Sequence, residues 1–250
     1  MSATPGLIVG SGYVKLGLQV VDSQAVDTPY GAASSPLLKA EIAGQPVLCI
    51  ARHGEAQTIA PHEVNYRANV WALWEAGVRC CIGVNIVGAI APDFEPGQLA
   101  IPDQLIDYTS GRQSSFGGTG GEVVHIEFSE PFDAELRGRL ALALSACGQP
   151  VHHGIYGVTQ GPRLETAAEI DRLERDGCAM VGMTAMPEAA LARELGMAYA
   201  ITALAVNHAA GRSPQGQSIH RQIDTNLELG RARLAALLER LIPDLAARTL

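Results

Sequence analysis

"VNYRANVWALWEAGVRCCIGVN", residues 64–85, joins a helical pattern to an apolar run through a single glycine. Val64, Ala68, Trp71 and Trp74 recur near helical spacing and give the segment one apolar face. Gly77 is the residue type that most easily takes the left-handed conformation on which helices stop. The run at 79–85 follows at once and is short, apolar and partly β-branched, which reads as a buried strand. A helix that leads straight into a buried strand is the unit from which a parallel sheet is assembled.

Outward from this stretch the alternation continues. Apolar runs at 7–10, 46–52, 99–106, 154–160, 179–184 and 198–207 read as further strands. Helical patterns fill 133–146, 166–176 ahead of Gly177, 187–195 ahead of Gly196, and 224–240. The expected fold is α/β: a single domain over residues 1–250, with a mostly parallel, mixed central β-sheet flanked by helices. No internal repeat or linker interrupts it, and the glycine-rich "SSFGGTGGE" at 114–122 reads as a surface loop.

Composition narrows the partners. A chain of 250 residues, 47% hydrophobic and 18% charged, can bury a large core within one domain. Apolar runs such as "CCIGVNIVGAIA" (80–91) are too short and too glycine-interrupted to span a bilayer, and the start lacks a basic region before an apolar stretch. A soluble, cytoplasmic protein is expected. The five cysteines fit neither a disulfide framework nor paired zinc-ligand spacing, so they read as reduced core thiols, and no metal is expected. A formal charge of -8 argues against nucleic acid or an acidic membrane as partner. An anionic substrate would need local cations.

Such cations, with other polar groups, stand at the ends of the strands: Ser11, Arg52 with His53, Asn85, the stretch from Gln160 to Glu165, Thr184, and Asn207 with His208. Each taken singly is a surface charge or a cap, but six on the carboxyl edge of one sheet are where an α/β fold gathers its ligand. "IVGSGY" (8–13) is not a dinucleotide fingerprint, because Lys15 stands where the third glycine is required. The short Gly-Ser-Gly turn still frees backbone N–H groups and a hydroxyl for an oxyanion. With a guanidinium that can hold two oxygens, an imidazole and the Thr184 hydroxyl, the set reads as a pocket for inorganic phosphate.

Four stretches carry a family resemblance: "ARHGEAQTIAPHEVNYRANVWAL" (51–73), "FEPGQLAIPDQLIDYTSGR" (94–112), "GPRLETAAEI" (161–170) and "GMTAMPEAALARELG" (182–196). The chain resembles the trimeric purine nucleoside phosphorylase and methylthioadenosine phosphorylase family from Gly10 to about His220. The resemblance implies phosphorolysis, in which phosphate attacks C1′ of a purine nucleoside and frees the base. It also implies no metal or organic cofactor, with inorganic phosphate as co-substrate. Carried onto this sequence, the phosphate residues are Ser11, Arg52, His53, Asn85, Ile86 (through its backbone N–H) and Thr184. Met183 would pack under the ribose, and His125, otherwise an unremarkable strand histidine, would reach the neighbouring subunit's site in a homotrimer.

The same resemblance makes Asn207 the catalytic amide, donating to O6 and accepting from a protonated N7. Glu165 would accept from the N1–H of a 6-oxopurine, whereas a 6-aminopurine would turn a bare lone pair toward that charge. Adenine-cleaving members carry aspartates in the base loop, where "VNHAAG" (206–211) has Asn207, His208 and Ala209. Leu164 stands in place of the family's stacking Phe. The expected substrate is S-methyl-5′-thioinosine, giving hypoxanthine and 5-methylthioribose 1-phosphate. His220 falls about where inosine-cleaving members bind the 5′-hydroxyl, so inosine or guanosine is the first alternative and methylthioadenosine the second. A hydrolase using water would leave Arg52 and His53 without a partner, and a non-catalytic nucleoside- or dinucleotide-binding module would show no turnover.

Overall fold

The computed structural model describes residues 4–10, 18–117, 123–213 and 219–247. Strands β1 (Gly6–Val9), β4 (Gln45–Ala51), β5 (Cys80–Ala89), β8 (Ile155–Val158), β9 (Cys178–Gly182) and β10 (Ala198–His208) form where apolar runs predict them. The run at 99–106 divides around Pro102 into β6 (Leu99–Ala100) and β7 (Gln104–Asp107), since proline cannot donate to a ladder. A hairpin, β2 (Gln19–Gln24) and β3 (Leu37–Ile42), was not expected. All six β2 residues are exposed, so its sequence lacks the apolar alternation that betrays a half-buried strand.

The helices are α1 (Tyr66–Glu75), α2 (Ala134–Ala146), α3 (Ala167–Arg175), α4 (Glu188–Glu194) and α5 (Ile219–Ala247). Asn65 caps α1, Asp133 caps α2, and Thr166 forms a reciprocal capping box with Glu169 on α3. Gly77, Gly177 and Gly196 hold φ of 91°, 89° and 63°, the left-handed stops their positions imply. Helix α5 is longer than the 224–240 expected and runs past Pro243. No described helix is long and apolar enough to cross a membrane.

Among the described residues, five of the nine strand pairings are parallel. Alternate residues of β1 and β5 feed two cores: Ile8, Cys81 and Val87 on the face covered by α1 and α4, and Leu7, Val9, Ile82 and Val84 on the face covered by α2 and α5. The pairing around β5 positions the site. Its one edge is taken along its length by β10, from Ala198↔Cys80 to His208↔Ala89. Its other edge is shared. β1 pairs in parallel with residues 81–84, and β9 pairs antiparallel with 88–89. β4 lies beside β1 and β8 beside β9, each in parallel, so the carboxyl ends of two oppositely running strand pairs meet head-on opposite residues 85–87. Such a crevice at strand carboxyl ends is where an α/β sheet admits a ligand.

Candidate functional site

A cavity of about 480 Å³ opens at that meeting point, with Gly10, Arg52 and His53 on one side and Glu165, Met183 and Asn207 on the other. Arg52 follows β4, and its N–H donates to Val9 O at 2.8 Å, which fixes it beside the end of β1. The guanidinium is 1% exposed. Its Nε and Nη2 donate to Glu188 Oε2 and Oε1, both at 2.8 Å. Nη2 also reaches Asn85 Oδ1 at 3.1 Å and Ile8 O at 3.3 Å, while Nη1 donates to Val84 O at 3.1 Å. One N–H on Nη1 is left without a protein acceptor among the described residues. A Cβ on Gly10 would lie 3.2 Å from Nη1, so the glycine keeps that nitrogen approachable.

Burial opposes the charge on Arg52, and the Glu188 carboxylate more than restores it, holding the guanidinium protonated above its ordinary range. Glu188 itself is fully buried and accepts from Tyr199 OH at 2.5 Å. The oxyanion corner is thus close to electroneutral before any anion enters. His53 points Nδ1 at Ile59 O, 2.8 Å away, so Nδ1 carries the proton and Nε2 the lone pair. Burial first, and then the charge of Arg52, lowers the His53 pKa.

Asn85 is wholly buried and does not line the cavity. Its Oδ1 accepts from Arg52, and its Nδ2 donates to Thr184 Oγ1 at 3.1 Å and Tyr156 OH at 3.4 Å. The side chain therefore bridges the two groups that do line the cavity, Arg52 and Thr184. Ile86 lines it directly.

On the opposite side a bulge between Ala205 and Asn207 breaks the β10 ladder, and such bulges re-aim side chains. Asn207 donates one amide hydrogen to His208 O at 2.7 Å, leaving its second N–H and its carbonyl for a ligand. Glu165 accepts from Thr159 Oγ1 at 2.6 Å. Met183 packs against Gly161, whose φ is 62° and whose added Cβ would fall 2.4 Å from the sulfur. Leu164, 42% exposed, and Ala209 complete the lining expected on this side.

Other expected positions fall elsewhere. The His208 ring does not line the cavity; its Nε2 is 3.4 Å from Glu95 Oε2. His125 is exposed, outside this chain's cavity, in a segment without the strand its apolar neighbours suggested. The backbone of His220 lies in the first turn of α5, and its side chain is outside the described residues. Ser11 also lies outside them.

Sequence reasoning missed Glu188, Tyr156 and Tyr199, which organise Arg52 from behind, and Ile223 and Leu227, one helical turn apart on α5, which supply an apolar wall. A lone acid in the alanine-rich "PEAALA" (187–192) was the available signal for Glu188. Arg112 was missed as well. Its Nη1 donates to Met183 O at 2.7 Å and Met186 O at 2.6 Å, and its Nη2 to Gln160 O at 2.9 Å, stapling together the loops that follow β8 and β9.

Comparison with known proteins agrees with this geometry. Residues 4–243 match the model of the Phosphorylase superfamily. The chain is 48% identical to a probable S-methyl-5′-thioinosine phosphorylase of Pseudomonas syringae pv. tomato, over 94% of this chain and 97% of that one. It is 41% identical to the 6-oxopurine nucleoside phosphorylase of Pyrococcus furiosus, over 83% and 80% of the two chains. Methylthioadenosine phosphorylase from Schistosoma mansoni, solved with adenine, superposes with a TM-score of 0.92 at 28% identity, covering 98% of this chain and 93% of that one. From its matched length and these identities, the chain belongs to the Phosphorylase superfamily.

Proposed function

We propose that this protein catalyses phosphorolysis of a 6-oxopurine nucleoside, with S-methyl-5′-thioinosine and phosphate giving hypoxanthine and 5-methylthioribose 1-phosphate. The observation that carries the reading is one cavity holding a buried, proton-locked Arg52 on one side and the Asn207 amide with the Glu165 carboxylate on the other. The phosphate is the nucleophile, so no side chain has to be activated; positioning and charge remain. Arg52 offers its free Nη1 hydrogen to a phosphate oxygen. Thr184 and the Ile86 backbone offer further contacts, joined by Ser11 on the resemblance alone, and Asn85 holds Arg52 and Thr184 in place. The neutral Nε2 of His53 accepts a hydrogen bond from the O–H of hydrogen phosphate.

As the C1′–N9 bond breaks, its electron pair passes into the purine, which takes up a proton at N7 to leave as hypoxanthine, and an oxygen of phosphate bonds to C1′, the sugar phosphate then losing its proton to solvent. Asn207 stabilises the charge arriving at N7 and O6, and Glu165 accepts from N1–H. Met183 lies under the sugar. Ile223 and Leu227 favour a methylthio group over a hydroxyl at the 5′ end, because an apolar wall leaves a hydroxyl without a partner. His220, at the start of the same helix, is the observation that keeps inosine and guanosine as the second reading. The proposal extends to residues 1–250 acting as one domain, to a cytoplasmic homotrimer with His125 serving the neighbouring site, and to catalysis without an organic cofactor. Exposed Val123 and Val124 beside His125 support an inter-subunit role for that segment.

The test compares kcat/KM for methylthioinosine, inosine, guanosine and methylthioadenosine at fixed phosphate, with a phosphate-free control. Methylthioinosine should rank first, and omitting phosphate should abolish turnover. Preferred cleavage of methylthioadenosine would overturn the base assignment, and phosphate-independent release of hypoxanthine would overturn the reaction.

A further inference from the structure

The base-side carboxylate is held from outside the substrate cavity. Thr159 is the first residue beyond β8, and its backbone N–H donates to Gly182 O at 2.8 Å, pinning it to the end of β9. Its carbonyl accepts from Arg112 Nη2 at 3.4 Å, so the backbone is fixed on both sides. Its hydroxyl has one hydrogen and two acceptors in reach, Glu165 Oε1 at 2.6 Å and Gly182 O at 3.4 Å. The shorter bond, to the carboxylate, takes it. Thr159 does not line the 480 Å³ cavity; it lines a second one, of about 470 Å³, on the far side of Glu165. Two arginines line that second cavity: Arg163 is bound to Glu169 at 2.8 and 2.7 Å, and Arg172 stands 3.7 Å from Asp176. Glu165 is thus a partition. One oxygen is turned back to Thr159, and the other has no hydrogen-bond partner among the described residues.

A carboxylate's last torsion is broad and nearly two-fold, so without an anchor it presents a variable edge to the substrate. We propose that Thr159 is a positioning residue for nucleobase choice: by holding Oε1 of Glu165 it fixes a single outward acceptor, and this favours a base carrying N1–H over one with a bare N1. The inference rests on the reading of Glu165 given above and adds a residue that never touches the base. A hydroxyl here constrains selectivity, while a purely structural threonine would affect all substrates alike.

The test uses the full-length enzyme and five forms: wild type, Thr159→Val, Thr159→Ser, Glu165→Gln, and Thr159→Val combined with Glu165→Gln. Each is assayed for kcat/KM on methylthioinosine and methylthioadenosine at fixed phosphate, and the KM for phosphate reports an intact oxyanion corner. Thr159→Val should lose about tenfold on methylthioinosine, in keeping with one hydrogen bond to a charged group, and change methylthioadenosine by less than about twofold. Thr159→Ser should stay within about threefold of wild type, and Thr159→Val should add nothing on a Glu165→Gln background. Should Thr159→Val fail to fold, Thr159→Ala carries the same expectation. Equal losses on both substrates, or additive losses in the double variant, would overturn the role of Thr159. If Glu165→Gln collapses the preference and Thr159→Val leaves it intact, Thr159 fails alone and the base reading stands. If Glu165→Gln itself leaves the preference unchanged, the base reading fails and this inference with it.

Discussion

Removing the carboxylate of Glu188 should cost this protein much of its stability. Arg52 and Glu188 are 1% and 0% exposed, so neither solvent nor salt screens their bond. Glu188→Ala deletes two charge-assisted hydrogen bonds of 2.8 Å and takes the acceptor from Tyr199 OH. The guanidinium cannot shed its proton and remains as a buried charge on three neutral acceptors, Asn85 Oδ1, Val84 O and Ile8 O. Breaking a buried pair in this way costs about 3–5 kcal/mol. For a chain of this size that corresponds to a fall in Tm of roughly 6–20 °C. The measurement is urea unfolding followed by far-UV circular dichroism, with thermal scans, at one fixed protein concentration. Replacing both partners, Arg52→Met with Glu188→Leu, removes the charge instead of orphaning it. That variant should regain most of the stability while losing activity. A loss below about 1 kcal/mol in Glu188→Ala, or a double variant as unstable as the single one, would refute the assignment of a dry, mutually dependent pair.

Two further outcomes follow from the site. Asn207→Ala should lower kcat by about 10²-fold while leaving the KM for phosphate within about threefold, because its amide acts on charge developing in the leaving base; steady-state kinetics that show phosphate affinity falling in proportion would contradict this. The lowered pKa of His53 means the unfolded chain binds more protons in the window below the ordinary value of 6.5. Stability should therefore be fully present above 6.5, with no slope from this group there, and drop as pH falls from 6.5 toward the folded-state value. His53→Gln should flatten that slope in urea midpoints between about pH 7 and pH 5, and an unchanged slope would place the titration elsewhere.

The alternating architecture was legible because buried strands and glycine-stopped helices leave local marks, as in the passage from Val64 through Gly77 to Asn85. The β2 strand left none, since no face of it is buried. Most polar groups that line the cavity, Arg52, His53, Glu165, Thr184 and Asn207, could be named from strand ends, but their division of labour could not. Arg52 and Glu188 are 136 residues apart in sequence, and only the packing of α4 against α1 and β10 reveals that Arg52 spends most of its hydrogens on protein. Asn85 reads in sequence as a phosphate ligand, and its side chain joins Arg52 to Thr184, a link no local pattern shows. His208 looked like part of the base loop, yet its ring does not line the cavity and stands 3.4 Å from Glu95, a pairing across 113 positions that no local pattern carries.

The head-on arrival of strands along β5 has a consequence for how such a protein diversifies. In the proposed reaction Arg52 and His53 reach the co-substrate from the end of β4, beside β1, while Glu165 reaches the leaving group from the connection after β8, entering from the other direction. Asn85 ties the two directions together, accepting from Arg52 and donating to Thr184 beyond β9. On that proposal, substitutions between Val158 and Thr166 that keep the Gln160 carbonyl on Arg112 retune which heterocycle is released and leave the hydrogen bonds of Arg52 in place.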